Sequence, residues 1–301
     1  MNISGFSYVR NGFEYDVPFL EAIQSVLPVC NEFIIAVGDS IDGTREAIAA
    51  LNSPKIKIID TVWDMSLRRG GKIFAQQSNI ALDHITGDWA FHIQADEVLH
   101  ESGLAQIADY IQKYQNDEQV DGLLFPFLHF WGGYNYIRTS RRMHRYEIRV
   151  FRNNKCVRSY RDSQGFRIYK SKDSYEQGLE KGKKLKVIKT DIPIYHYNAV
   201  RSPIRMKYKV QHFNSYYNGG EIVQINDSAN LLQQVDRLEL FHGQHPKIMQ
   251  PRVASQNWEF VFDPSKSVWK PKDKIMQPIE DFMGYRFGEY KNYVVLRNHS
   301  V

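Results

Sequence analysis

The stretch Gly87-Asp88-Trp89-Ala90-Phe91-His92-Ile93-Gln94-Ala95-Asp96-Glu97 constrains the fold more than any other part of this chain. It reads as a short apolar strand that runs straight into two adjacent carboxylates, with an apolar helix before it and another after it. Two acids at the end of a buried strand suit a hard divalent cation, which prefers oxygen ligands and keeps part of its coordination for substrate phosphates. The same acids equally suit a helix cap, because carboxylates favour helix N-termini and a helix begins near Glu101. From this segment alone both roles stand.

The segments before it alternate in the same way. Residues 3–9 read as a strand, and residues 15–27 as a helix with Phe19, Leu20, Ile23, Val26 and Leu27 on one face. The branched run 33–37 fits a fully buried strand. A turn over 38–44 leads into a short helix over 45–51, capped by Asp42 or Thr44, and 56–59 is a third strand. A loop holding Arg68-Arg69-Gly70-Gly71 precedes a helix over 73–85 and the strand 89–93. This β-α-β-α-β-α-β order predicts an α/β protein with a mostly parallel, Rossmann-type sheet flanked by helices.

Beyond it, 101–114 reads as helix, and 122–130, 147–151 and 192–197 as strands. The polar, Lys- and Gly-rich segment 162–186 reads as exposed loop. After Ser202-Pro203 the pattern turns helical, with candidates at 204–217, 230–241 and 274–287, so a sheet domain over 1–200 and a helical extension over 201–301 are expected. The extension's role is open between packing on the sheet, pairing with another subunit and lying against a membrane.

At 301 residues and 43% hydrophobic, the chain can bury a sizeable core. Its net charge of +5 fits an anionic ligand such as a nucleotide, or peripheral contact with an anionic membrane surface. It does not support nucleic-acid binding, since the basic clusters 138–145 and 181–189 sit in no recognisable nucleic-acid module. Cys30 and Cys156 lack metal or redox spacing, which points to a reducing compartment rather than a disulfide framework. No charged start followed by an apolar run opens the sequence, and no run of about 18 apolar residues occurs. The expectation is a soluble, cytoplasmic chain, with the inner face of the membrane open as a place of work.

In an open α/β sheet, ligands bind beyond the carboxyl ends of the strands. Here those ends carry Arg10-Asn11, then Asp39 and Asp42, then Asp64 with Arg68-Arg69, then Gln94-Ala95-Asp96-Glu97. Carboxylates accept from the N–H groups of a base or from ribose hydroxyls, and arginine suits a diphosphate. Any one of these residues has an ordinary role as a cap or solvated loop residue. Their agreement in place favours a ligand.

The same residues carry a family resemblance over about residues 3–200. Ser25-Val26-Leu27 ends the first helix, Glu32 precedes a branched strand, and Ser40-Ile41-Asp42-Gly43-Thr44 follows that strand. Asn79-Ile80-Ala81-Leu82 then leads into Gly87-Asp88-Trp89 and the Asp-Ala-Asp-Glu-like Gln94-Ala95-Asp96-Glu97. In this order the set resembles the family 2 glycosyltransferases of the GT-A fold, including those that build bacterial surface polysaccharide. The resemblance implies a nucleotide-binding half at 1–97 and an acceptor half at 98–200. It implies a nucleotide-sugar donor, UDP-linked by expectation, with its base near Asp39 and Asp42. Arg10, Arg69, Lys72, Asn79, Gln94 and Ala95 complete the implied donor site, and Asp96 holds Mn²⁺ or Mg²⁺ against the diphosphate. A late His-Tyr in such relatives is matched by His196-Tyr197, which makes His196 a second metal ligand; otherwise it is a histidine packed among tyrosines.

The activity implied is metal-dependent, inverting transfer of a hexosyl-type sugar to a hydroxyl of a glycan or lipid-linked acceptor. The base implied follows the Arg-x-Phe-Arg strand, here Arg149-Val150-Phe151-Arg152, which makes Asp162 the first candidate and Glu147 the reserve. Two departures stand out. Gln94 replaces the usual first acid and offers only a neutral amide, and the acidic pair after the second strand is reduced to Gly38-Asp39. A sugar nucleotidyltransferase needs a Gly-rich, Arg-containing loop that residues 7–12 match poorly. A GT-A-like domain that binds nucleotide or glycan without turnover stays open because of Gln94.

Overall fold

The computed structural model describes residues 1–163, 165–217, 220–222, 224 and 231–296. The first half follows the alternation: β1 (Ile3–Val9), α1 (Phe19–Val26), β2 (Glu32–Val37), α2 (Thr44–Ala49), β3 (Ile56–Asp60), α3 (Lys72–Asp83) and β4 (Trp89–His92). Next come β5 (Glu97–Leu99), α4 (Leu104–Tyr114), β6 (Gly122–Trp131), β7 (Tyr136–Arg138), β8 (Tyr146–Arg152) and β9 (Val157–Ser159). The remainder is β10 (Phe166–Ile168), α5 (Lys172–Glu176), β11 (Lys183–Lys189), β12 (Ile194–Ala199), α6 (Pro203–Phe213), β13 (Leu238–Leu240), α7 (Gln250–Ala254), α8 (Pro271–Met283) and β14 (Tyr293–Val295).

The central sheet runs β3-β2-β1-β4-β8-β6-β11-β10-β9. Its first four strands are parallel, β8 lies antiparallel between β4 and β6, and β11 is parallel to β6 and β14. Helices cover the parallel part because each has one apolar stripe. Phe19, Ala22, Ile23 and Val26 of α1 recur at helical spacing and join Ile107 and Ile111 of α4 in one buried cluster. Ala81 and Leu82 of α3 meet Phe6, Ile34 and Ala90 in another.

Strand β6 changes partners partway along. Its first residues pair with β8 and β11, while Phe127–Trp131 pairs with β12, which in turn pairs antiparallel with β5. Pro126, which has no N–H to give a ladder, sits where the exchange occurs. The fork brings β12 against β5, so that His196 stands opposite Glu97.

Four local expectations are revised. The first helix begins at Phe19 rather than residue 15, because Val17 precedes Pro18 and a residue before proline is pushed out of helical geometry. The segment 162–186 is not an exposed loop: it supplies β10, α5 and β11, where exposed lysines alternate with buried Leu185 and Val187. In place of a helix over 230–241, residues 238–240 form β13 against β7, held extended beside the buried Asp236–Arg138 ion pair at 2.8 Å; residue 230 lies outside the described residues. Helix α8 starts at Pro271, a favoured first helical residue, and ends at Gly284 in the left-handed region (φ 62°). Among the described residues, 201–296 thus contribute two strands to the sheets as well as three α-helices. Among the described residues no helix is long and apolar enough to cross a membrane.

Candidate functional site

Strand β1 has β2 on one side and β4 on the other, so the order of strands reverses there and leaves a crevice at their carboxyl ends. A cavity of about 1100 Å³, mouth included, occupies that position. Arg10 follows β1 into it, and Gln94, Ala95 and Asp96 follow β4. The second half closes it with Glu147 and Arg149 of β8, Asp162 and Ser163 of the turn after β9, and His196 of β12. Helix α6 adds Lys209 and Phe213, and Tyr8, Tyr15, Trp63, Phe74 and Tyr217 form an aromatic wall.

The histidines settle one another's protons. His129 Nε2 lies 2.7 Å from the His144 carbonyl oxygen, which can only accept, so this nitrogen carries the hydrogen. Burial, reinforced by His196, pushes the His129 pKa down to about 3, so the ring is neutral and its Nδ1 bare. That Nδ1 accepts from His196 Nδ1–H at 2.8 Å. The other ring nitrogen of His196, Nε2, lies 3.6 Å from Asp96 Oδ2. A lone pair facing a carboxylate is repulsive unless a proton or a cation stands between them. Burial works against ionisation of Asp96, but His196, and then Lys209 and Arg201, outweigh it and hold the carboxyl well below its ordinary range.

This donor set fits a divalent cation. Asp96 supplies an oxygen, His196 a ring nitrogen whose orientation is fixed by its outer hydrogen bond, as metal-binding histidines usually have. Among the described residues no group of three or more His, Cys, Asp or Glu side chains is arranged around a metal position. A cation here would therefore take most of its shell from water and ligand oxygens, the habit of Mg²⁺.

The second acid of the pair has another employment. Glu97 is 1% exposed and receives a bidentate pair of hydrogen bonds from Arg149, at 2.5 and 2.7 Å. Gln94 is also engaged: its Nε2 donates to the Ser163 carbonyl at 3.3 Å and ties the end of β4 to the turn that carries Asp162. An ionised acid at 94 would present a lone pair to that carbonyl, so the amide is the chemistry this contact requires.

Asp162 sits between two non-glycine residues in the left-handed region, Arg161 (φ 57°) and Ser163 (φ 66°). Such geometry persists only where surrounding structure enforces it, and it clusters at ligand sites. Gly71, itself at φ 68°, lets the start of α3 pass against this turn; a Cβ there would lie 2.6 Å from the Asp162 Cβ. Tyr217 Oη donates to Asp162 Oδ2 at 3.2 Å. Burial raises the Asp162 carboxyl, opposed by hydrogen bonds from its own backbone and Tyr217. Burial raises Glu147 much further, to about 8, with Arg149 opposing and Glu97 and Asp162 adding to the rise. Its Oε2 has no hydrogen-bond partner among the described residues.

The structure thus gathers Arg10, Gln94, Ala95, Asp96, Glu147, Asp162 and His196 around one cavity. Asp39 stands at its rim, ion-paired with Arg10 at 3.0 Å. With Asp39, five of the expected residues lie outside the lining. Asp42 accepts from the backbone N–H groups of Glu14 (2.8 Å) and Thr44 (3.1 Å) and fastens the turn after β1 to α2. Asn79 is buried, donating to Tyr175 Oη and accepting from Ser159 N–H, each at 2.9 Å. Arg69 and Lys72 are exposed ahead of and at the start of α3. Tyr8, Trp63, Lys209 and Tyr217 were not foreseen. Tyr8 lies two residues before Arg10 on β1, and that alternation was the available signal; the others come from distant segments.

No protein-family model matches the chain, and no curated protein sequence matches it significantly. Solved structures of similar architecture include S. aureus TarS residues 1–349 in complex with UDP-GlcNAc, at 12% identity over 72% of this chain and 66% of that one, TM-score 0.40. Another is glucosyl-3-phosphoglycerate synthase from Mycobacterium tuberculosis with Mn²⁺, UDP and glucosyl-3-phosphoglycerate, at 13% identity over 65% of this chain and 71% of that one, TM-score 0.36. The TarS matches span from 36% to 66% of the TarS chains compared. At these identities and scores they identify no function.

Proposed function

We propose that this chain is an inverting glycosyltransferase that takes a sugar from a nucleotide-sugar donor, with UDP as the first nucleotide to try, and delivers it to a hydroxyl of a glycan or lipid-linked acceptor. The observation that carries the reading is the Asp96–His196 pair at the strand-order reversal, where the histidine's Nε2 faces a carboxylate 3.6 Å away with room for a proton or a cation between them. The ordered motifs around Asp42, Asn79 and Gly87 support it.

Mn²⁺ or Mg²⁺ held by Asp96 and His196 would supply positive charge beside the donor's diphosphate. Arg10, held by Asp39 and Tyr216 at the cavity wall, adds a fixed positive charge on the β1 side. The aromatic wall gives a nucleoside base faces to stack on. In the transfer, the acceptor oxygen forms a bond to the anomeric carbon from the face opposite the diphosphate. The carbon–oxygen bond to the diphosphate breaks, and the nucleoside diphosphate leaves with the electron pair.

The acceptor's proton passes to Asp162. Glu147, with a pKa near 8, keeps its own proton at neutral pH and donates a hydrogen bond instead. Asp162 is the group whose ionised form is supported, by the Tyr217 hydroxyl.

The test is calorimetric titration of UDP and UDP-sugars with and without Mn²⁺, followed by donor hydrolysis. Expected is binding that Mn²⁺ strengthens in the native protein and not in Asp96→Ala or His196→Ala. Because the cation needs an unprotonated His196, the Mn²⁺ effect should grow with rising pH. Equal affinity with and without Mn²⁺ would remove the metal role. Tight binding with no turnover across an acceptor panel would favour the second reading, a GT-A-like binding protein, to which the engagement of Gln94 with Ser163 points.

A further inference from the structure

Helix α8 is amphipathic in the wrong sense for a helix that packs on a core. Its polar residues Asp273, Gln277 and Glu280 are the buried ones. They face Arg141, which pairs with Asp273 at 2.8 Å and Glu280 at 3.0 Å and takes Gln277 Oε1 on its backbone N–H at 2.7 Å. The apolar residues point the other way: Phe282 is 94% exposed and Ile275 67%. At about 100° per residue, Ile275, Ile279 and Phe282 with Pro278 form one stripe centred opposite the buried polar face.

Lysine brackets that stripe. Lys272 and Lys274 flank it on either side of the helix, and Lys270 stands at its N-cap. None of the three has an acidic partner within ion-pair distance among the described residues. The helix's own acids are spent elsewhere, Asp273 and Glu280 on Arg141 and Asp281 on Arg237 at 2.5 Å. Exposed Val268, Met283 and Tyr285 extend the apolar surface at both ends of the helix. A contiguous exposed apolar patch on a soluble fold marks a contact surface.

We propose that α8 is a membrane-docking element that lies in the interface of an anionic phospholipid bilayer, its Ile275–Ile279–Phe282 stripe among the acyl chains and Lys270, Lys272 and Lys274 at the headgroups. Charge decides the occupant. A second copy's α8 offers these lysines no free acid, since its Asp273, Glu280 and Asp281 are already paired, whereas an anionic lipid surface complements them. The buried Arg141 pairs hold the helix with its apolar side outward before any membrane is met.

The proposal is tested with the full chain by flotation with vesicles of phosphatidylcholine alone and of phosphatidylcholine with about 30 mol% phosphatidylglycerol. Expected is binding to the anionic vesicles at least about tenfold stronger than to the neutral ones, and weakened by salt. The double substitution Ile275→Asp and Phe282→Asp should abolish it, and Lys270→Glu with Lys274→Glu should weaken it severalfold. All four side chains are exposed, so the variants should melt with the native protein. Equal partitioning of native and Asp-substituted protein would overturn the proposal. So would a concentration-dependent dimer, without vesicle binding, that the Asp substitutions dissociate; a second copy would then be the occupant.

Discussion

Asp162 and Glu147 line the same cavity, and burial raises both carboxyls, Glu147 to about 8, while only Asp162 has a hydroxyl, that of Tyr217, donating to it. Asparagine in place of Asp162 removes the proton acceptor, and transfer should fall by about 10²–10⁴ in kcat. Glutamine in place of Glu147 copies the protonated acid, so Glu147→Gln should lose less than about tenfold at pH 7. Transfer kinetics on the two variants check this, and the reverse ranking would make Glu147 the base. The sequence placed both acids, since both flank the Arg-x-Phe-Arg strand. It ranked Asp162 first only by resemblance; the burial and the Tyr217 hydroxyl that bear on the ranking were not legible, since Tyr217 lies 55 residues from Asp162.

Among elements, the turn from β4 into β5 shows how neighbouring acids part company. Glu97 begins β5, and its bidentate contact with Arg149 joins that strand to β8. Removing one partner of a buried ion pair typically costs about 3–5 kcal/mol. Glu97→Gln should therefore lose about that much stability in urea unfolding; an unchanged unfolding midpoint would contradict the assignment. Strands β2 and β4 were legible from short apolar runs, and β1 and β3 from their β-branched and aromatic residues. Strand β11 was not, since lysines on its exposed positions mask a period of two that only its buried Leu185 and Val187 reveal. Strand β13 was misread because a helical spacing of Leu231, Leu232 and Val235 runs into Asp236, whose ion pair with Arg138 enforces the extended chain. Nor could the strand-end rule find Lys209 or Tyr216: the Arg10–Tyr216 hydrogen bond spans 206 residues.

For the molecule as a whole, the acid with a raised pKa links the cavity to stability. Glu147 ordinarily titrates at 4.5 and in the fold at about 8. Between those values the native state binds more protons than the unfolded chain, so this group's contribution is complete below pH 4.5 and is lost as pH rises through about 8. Glu147→Gln lacks that loss. Thermal melts should show the variant gaining on the native protein from pH 5 to pH 8.5, with the native protein falling behind on the alkaline side; parallel curves would contradict the raised pKa. The whole-chain architecture also bears on how ligands arrive. Strand β6 belongs to two sets of partners, β8 and β11 along one part and β12 along the other, so a single ten-residue strand ties the wall that carries Glu147 to the wall that carries His196. Swinging one wall against the other would shear that strand's own ladder. The two walls are therefore cut from one beam: the spacing between Glu147 and His196 is set when the chain folds.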